Sequence, residues 1–184
     1  MKDPVKKRRE DILRSMYSSK SGLIVHCSAV FDSGSVFAFA GVADTGKSTL
    51  AEKLSVNMPV INDDMNIFEF KGDGCIKVST YFTHDEDQGY HYIINENLSG
   101  MLKAVFFPVK EEKKLSGIEL IEDRGAIWTT LLTCVAPPLK NENELFQNYL
   151  EMLDRLMDSV PFFNIYHNLK DSPELLTSVL REIK

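Results

Sequence analysis

Eight consecutive residues, GVADTGKS at positions 41–48, follow the pattern GxxxxGK[ST] of a phosphate-binding loop. In such loops the glycines let the backbone wrap around a phosphate, and successive N–H groups point at its oxygens. The lysine reaches the outer phosphates, while the final hydroxyl can bind Mg²⁺, which assigns these roles to Lys47 and Ser48. The predicted phosphate site consists of Gly41, Val42, Ala43, Asp44, Thr45, Gly46, Lys47, Ser48 and Thr49.

The residues on either side of this loop have the character that such a loop requires. An apolar run at 35–41 predicts a strand directly before it, and KSTLAEKL at 47–54 predicts a helix directly after it. A second apolar run at 22–30 precedes the turn residues Asp32, Ser33 and Gly34, which predicts a β-hairpin. We therefore expect the second strand of a hairpin to lead into the phosphate loop.

Two adjacent carboxylates, Asp63 and Asp64, follow a short apolar run that predicts a strand at 59–62. One carboxylate of such a pair can hold Mg²⁺ while the other orients or deprotonates an attacking hydroxyl. A lone pair of aspartates is more often a turn or a helix cap, but behind a phosphate loop we favour the catalytic interpretation. His26 has two interpretations that stay open: a proton relay near the phosphates, or a packed strand residue.

Composition bounds the class of protein. The 184 residues are 43% hydrophobic and 26% charged, which is typical of one globular domain, or of one with a small appendage. The net charge of −6 argues against broad nucleic-acid binding, and the three separated cysteines predict reduced thiols. With neither a signal peptide nor a bilayer-length apolar run, we expect a cytoplasmic protein without membrane contact.

The remaining pattern predicts two parts, a basic amphipathic helix within residues 1–20 and a catalytic domain over 21–184. The acidic stretch 83–91 predicts a loop, which beside a catalytic site is often a lid. Other predicted elements are a hairpin of 66–70 and 75–82, strands at 115–122 and 161–169, and helices at 126–136, at 141–160 and after Ser172. Pro137 is expected to end the helix that precedes it.

The order of VHCSAV, a turn, VFAFAGVADTGKST, a helix and VINDD resembles the catalytic domain of HPr kinase/phosphorylase. It is similar as well to the phosphoenolpyruvate carboxykinase-like P-loop kinases. The resemblance covers roughly residues 20–184, and its specific motifs lie within 26–64. It implies an α/β fold with a mixed β-sheet and a β-hairpin before the Walker A loop. It also implies a homo-oligomer.

The same resemblance implies a role for each site residue. His26 corresponds to the active-site histidine of the family, Asp63 to its general base and Asp64 to its metal-proximal carboxylate. Lys47 and Ser48 keep their loop roles, so that Lys47 is catalytic and Ser48 is a metal ligand. The chain has no clear match to the glycine- and arginine-containing signature of the family, and Arg124 is a separate candidate for a positive charge.

These observations favour an ATP-dependent phosphotransferase that uses Mg²⁺ and acts on a hydroxyl of a protein, a peptide or a small molecule. The alternative is a nucleotide-binding regulatory module with little catalysis. A small-metabolite or nucleoside-monophosphate kinase ranks lowest, because some forty residues precede the loop and the stretch 83–91 contains no arginine.

Overall fold

The computed structural model describes residues 4–81, 95–110, 116–138, 142–168 and 170–183, with side chains from residue 10 onwards. Helices and strands alternate irregularly along the described chain, and the predicted lid at 83–91 lies outside it. The elements are α1 (Pro4–Ser18), β1 (Gly22–Asp32), β2 (Ser35–Ala40), α2 (Lys47–Leu54), β3 (Val60–Asn62), β4 (Met65–Phe70), β5 (Ile76–Thr80), β6 (Ser99–Lys110), β7 (Gly117–Leu120), α3 (Arg124–Cys134), α4 (Asn143–Ser159), β8 (Phe162–His167) and α5 (Pro173–Arg181).

The strands form one mixed sheet, as predicted. Its order is β2-β1-β4-β5-β6-β8-β7, with β3 beside β1, and β2 also pairs with β6. The β2–β6 and β6–β8 pairs are parallel, whereas the other pairs are antiparallel. Strands β1, β2, β6, β5 and β4 are thus linked in a closed circuit of pairings. The fold is mixed α/β.

The predicted hairpin before the loop is confirmed. Strands β1 and β2 pair in antiparallel register from Cys27 opposite Ala40 to Asp32 opposite Ser35. The two residues between the strands have positive φ angles, 51° at Ser33 and 93° at Gly34. Two such residues match the twist of the flanking strands in the tightest hairpins, which explains why this short turn fixes the register.

Strand β6 was not predicted from the sequence, although it holds a central place in the sheet. Its residue Pro108 argues against a central strand, because proline has no N–H for a ladder bond. In the structure the pairing with β2 extends only to Phe39 opposite Phe106, while Pro108 faces Ile165 of β8 on the other side. The missing N–H is therefore tolerated where β2 has already ended.

The third helix ends earlier than predicted. It was expected over 126–136 with Pro137 as its stop, whereas α3 runs from Arg124 to Cys134. The next residues are extended: Val135 forms a bridge with Val25, and the Ala136 N–H donates to the Ile24 carbonyl over 2.9 Å. Pairing with the edge of β1 thus ends the helix before proline can.

Two apolar clusters lie on the two faces of the sheet. One packs α1, α3 and α4 against it, and the other packs α2 and α5. Alternating residues of β2 point to the two clusters, Ala38 to the first and Phe39 to the second. The predicted apolar face of α4 is confirmed for Leu145, Tyr149, Leu153 and Leu156, which are buried. None of the described helices is long and apolar enough to span a membrane.

We expect Gly22→Ala to destabilise the fold by about 1–3 kcal/mol, because the strand ladder leaves no room for a side chain. A β-carbon on Gly22 would lie 2.4 Å from the backbone oxygen of Phe68. Gly72→Ala is the matched control, since a β-carbon there meets no atom within 4 Å. Urea unfolding of both variants measures the difference. Equal stability of the two variants would contradict the tight β1–β4 contact.

Candidate functional site

The candidate site lies at one edge of the sheet, where three parallel strands end. Strands β2, β6 and β8 run in the same direction, so their carboxyl ends meet at this edge. The loop 41–46 follows β2 there and leads directly into α2. In both open and closed α/β sheets, ligands generally bind outside the carboxyl ends of parallel strands, so this edge is the expected place for a ligand.

The loop 41–46 has the backbone conformation that its glycines permit. The φ angles are 145° at Gly41, 63° at Asp44 and 100° at Gly46. The Thr45 hydroxyl donates to the Val42 carbonyl over 3.0 Å and thereby closes the turn. Gly46 is the residue that caps α2, so the first N–H groups of that helix open towards the space beside the loop.

The Lys47 side chain folds back over this loop. Its Nζ donates to the Gly41 carbonyl over 3.0 Å and to the Val42 carbonyl over 2.8 Å, and the residue is 7% exposed. Burial lowers the pKa of the Lys47 ammonium, while nearby Cys134 and Cys27 act in the opposite direction. Burial also raises the pKa of the Cys134 thiol to about 11, so this thiol is uncharged at neutral pH. It packs as a buried side chain and is not a nucleophile.

The two aspartates lie between β3 and β4, opposite the middle of β1. Ala29 pairs with Asn62 and His26 with Met65, so a continuous register puts Asp63 opposite Ser28. The contacts agree, because the Ser28 hydroxyl donates to Asp63 and the Cys27 N–H donates to the Asp64 carbonyl over 2.9 Å. Strand β1 therefore places the aspartates beside the β2 end that carries the loop.

The bend at Asp63 and Asp64 is held by a buried asparagine on β3. The side-chain oxygen of Asn62 accepts the Asp64 N–H over 3.0 Å, and its Nδ2 donates to the Met65 carbonyl over 2.7 Å. These two bonds bridge the bend from both sides. The carboxylates are thus fixed by the backbone that carries them, which favours a precise geometry.

Asp63 faces two hydroxyl groups in a partly buried position. Burial raises the pKa of this carboxyl above its usual range, and hydrogen bonding to Ser28 and Ser48 partly offsets the rise. Ser48 is exposed on the first turn of α2, so its hydroxyl is accessible to a ligand. Asp63 and the predicted metal-binding hydroxyl thus belong to one cluster.

His26 lies beside the second aspartate. Its Nε2 is 3.4 Å from Oδ1 of Asp64, and its side chain is 40% exposed. Burial lowers the pKa of the His26 imidazole and Lys47 acts in the same direction, whereas Asp64 and Asp63 oppose them. The net lowering favours the neutral ring near pH 7.

The structure thus brings the predicted residues together, with one exception. His26, Lys47, Ser48, Asp63 and Asp64 lie around the carboxyl end of β2 and the middle of β1, whereas Arg124 does not join them. The Arg124 guanidinium binds Asp158 over 2.7 Å and Asp154 over 3.2 Å, both on α4. Its positive charge is therefore paired with α4 and stabilises the contact between α3 and α4.

The sequence interpretation missed three polar residues beside this cluster. Ser28 contacts Asp63, and its position two residues after His26 on one strand, hence on the same face, could have indicated it. His167 and Lys110 lie against Gly46 and carry no local motif. The parallel pairings of β2 with β6 and of β6 with β8 bring these last two residues to the loop.

The donor atoms of the cluster suit a hard cation such as Mg²⁺. No group of three or more His, Cys, Asp or Glu side chains in the described chain could hold a metal ion. Mg²⁺ beside a nucleotide generally takes one or two protein oxygens together with phosphate oxygens and water. The Ser48 hydroxyl and an aspartate carboxylate fit that requirement.

No protein-family model matches this chain, and no curated protein matches it either. Among solved structures, the Hpr(Ser) kinase/phosphatase from Coxiella burnetii is similar, with a TM-score of 0.48 and 14% sequence identity. The match covers 86% of this chain and 88% of that chain. At these values we draw no conclusion from it about the chemistry of this protein.

Proposed function

We propose that this chain is an ATP-dependent phosphotransferase that transfers the γ-phosphoryl group to a hydroxyl of a protein, a peptide or a small molecule. The observation that carries the proposal is the convergence at one sheet edge. There the loop with its folded-back Lys47 meets the hydrogen-bonded carboxylate Asp63 through the shared neighbour Ser48. A phosphate-binding loop and a carboxylate with access to it are the two parts that such a reaction needs.

The loop supplies phosphate binding. Main-chain N–H groups of the loop and of the first turn of α2 bind phosphate oxygens, and the Lys47 ammonium exchanges its two carbonyl partners for phosphate oxygens. The exchange is favourable because charge-assisted bonds to phosphate are roughly twice as strong as neutral ones. Lys47 then stabilises the negative charge on the transferred group.

Asp63 is the proposed base. A partly buried carboxylate with a raised pKa accepts a proton more readily than an exposed one, which suits removal of the hydroxyl proton as the oxygen attacks. The hydroxyl of Ser28 donates to one carboxylate oxygen of Asp63 and thereby fixes the orientation of that carboxylate. The proton of the acceptor hydroxyl is thus held on Asp63 after transfer.

Asp64 and Ser48 are the proposed ligands of Mg²⁺. When bound, the ion neutralises the phosphate charges and aligns the transferred group. The neighbouring His26 orients Asp64 through its 3.4 Å contact and, being neutral, leaves the carboxylate its negative charge. His26 is therefore a positioning residue in this scheme.

Label transfer from γ-labelled ATP tests the proposal. The protein is incubated with Mg²⁺ and with separate pools of proteins, peptides and small hydroxyl compounds, and labelled products are identified. Lys47→Ala is the matched negative control, since any product that persists in this variant comes from a contaminating kinase. Tight nucleotide binding without a labelled product in any pool contradicts the kinase proposal and favours the regulatory module.

A further inference from the structure

Two polar residues flank the loop on the side away from the aspartates. Lys110 and His167 are paired residues at the carboxyl ends of the parallel strands β6 and β8. A β-carbon on Gly46 would lie 2.9 Å from Cε1 and Nε2 of His167 and 3.2 Å from Cε of Lys110. Both side chains therefore contact the glycine at the start of α2.

His167 is buried without the hydrogen bonds that such a residue usually has. It is 4% exposed, and neither ring nitrogen has a hydrogen-bond partner of normal geometry among the described residues. The charge of Asp171 and the main chain of Thr45 favour the protonated ring, but neither forms a hydrogen bond of normal geometry with it. An unpartnered buried ring costs free energy, so it indicates a partner that is present only in another state of the site.

Lys110 supplies an exposed positive charge at the same place. It is exposed, and no ion pair joins it to any other residue in the described part of the chain. Its Cε lies against Gly46 and its ammonium is one bond further, within reach of a phosphate held by the Gly46 and Lys47 amides. The N-terminus of α2 adds a favourable field for that phosphate.

We propose that Lys110 and His167 form a second phosphate contact of the nucleotide site, opposite the aspartates. Lys110 binds a nucleotide phosphate directly. His167 is a positioning residue, because its ring packs against Gly46 and directs a ring N–H towards the loop that holds the phosphate. The proposal rests on the proposed function, because it needs a nucleotide in the loop. The proposal places the carboxyl ends of β6 and β8 in one site, although no local sequence motif connects them.

Calorimetric titration with Mg·ATP, Mg·ADP and adenosine tests the role of Lys110. Lys110→Met is expected to weaken ATP binding about ten- to a hundredfold, the value of one charge-assisted hydrogen bond, and to leave adenosine binding unchanged. Lys110→Arg should stay within about threefold of the wild-type protein. Lys103→Met is the matched control, because it removes the same charge from the same strand, about 23 Å away along the strand.

A pH profile of nucleotide affinity tests the role of His167. Burial lowers the pKa of its ring; Lys53 and Lys110 act in the same direction, and Asp171 and the Thr45 main chain oppose them. A bound phosphate favours the protonated ring, so the nucleotide affinity of the wild-type protein should increase as pH falls from 7.5 to about 5.5. In His167→Gln this increase should be absent. The nucleotide and His26 titrate in the wild-type protein and in His167→Gln alike. A difference between the two pH profiles is therefore due to His167.

The outcomes separate this inference from the proposed function. A wild-type protein that binds no nucleotide overturns both. Nucleotide binding that depends on Lys47 but is equal in wild type, Lys110→Met and Lys103→Met overturns the Lys110 contact alone. Parallel pH profiles of wild type and His167→Gln show a merely structural role for the ring and overturn its assignment. Circular dichroism of each variant confirms that it is folded.

Discussion

Asp63→Asn is expected to lower the rate of phosphoryl transfer by about 10²- to 10⁴-fold while Mg·ATP affinity stays within about threefold. Asparagine keeps the shape of the side chain and can still accept from Ser28, but it cannot take the proton of the attacking hydroxyl. The measurement is single-turnover transfer to the acceptor found by the label screen. Transfer to water serves if no acceptor is found. Calorimetry gives the affinity in parallel.

Asp64→Asn is the companion variant. We expect it to raise the Mg²⁺ concentration needed for half-maximal rate about tenfold or more, with a smaller loss of rate at saturating Mg²⁺. The reverse pattern, a metal defect in Asp63→Asn and a lost rate in Asp64→Asn, contradicts the proposed roles and exchanges them. The nearness of the Ser48 hydroxyl to Asp63 would then be the structural reason.

The second large effect is expected for Lys47→Ala, which should weaken Mg·ATP binding about 10²-fold or more. The ammonium contacts two loop carbonyls, and a phosphate that takes their place would gain at least one charge-assisted bond. Calorimetric titration of wild type and variant measures the change. Without the ammonium, the loop also presents two carbonyl oxygens to an anion, which adds repulsion.

The control for this variant is Lys77→Ala, which removes the same charge from β5. Its affinity should equal that of the wild-type protein. Because Lys47 is buried, thermal unfolding must show that the variant remains folded. A folded Lys47→Ala protein with unchanged ATP affinity contradicts the phosphate role of the loop. If the wild-type protein does not bind nucleotide even at millimolar concentration, the proposed function itself is contradicted.

Local sequence patterns predicted the part of the fold that is local in the chain. The β1–β2 hairpin follows from two apolar runs around a short glycine-containing turn, and the helix after the loop follows from its residues. Ser172 accepts from the Leu175 N–H over 3.2 Å with Pro173 in the first turn, as expected of an N-cap followed by proline. In each case neighbours in sequence supply the stabilising contact.

The elements that were missed depend on distant partners. Strand β6 contains a proline that is acceptable only because β2 ends before it, which no window of the sequence shows. The end of α3 is set by a bridge from Val135 to Val25. Both outcomes are tertiary effects that override a local preference.

The candidate site divides in the same way. The loop and the aspartates were predicted because each has a pattern of its own, and His26 was a candidate because it lies on the first strand of the hairpin that leads into the loop. Their mutual contacts, such as Ser28 with Asp63, follow from the register of β1 with β3 and β4. His167 and Lys110 have no pattern, since two parallel pairings carry them to Gly46.

The two parallel pairings also set an order in time. On a ribosome the β1–β2 hairpin can form early, but β2 gains its outer neighbour only when β6 has emerged, and β6 gains β8 later still. Pairings between distant segments form slowly, because a long loop must close first. A nascent chain shorter than about residue 167 therefore has the loop sequence without its support. If the proposed function is correct, chains that end before β8 are expected not to bind nucleotide.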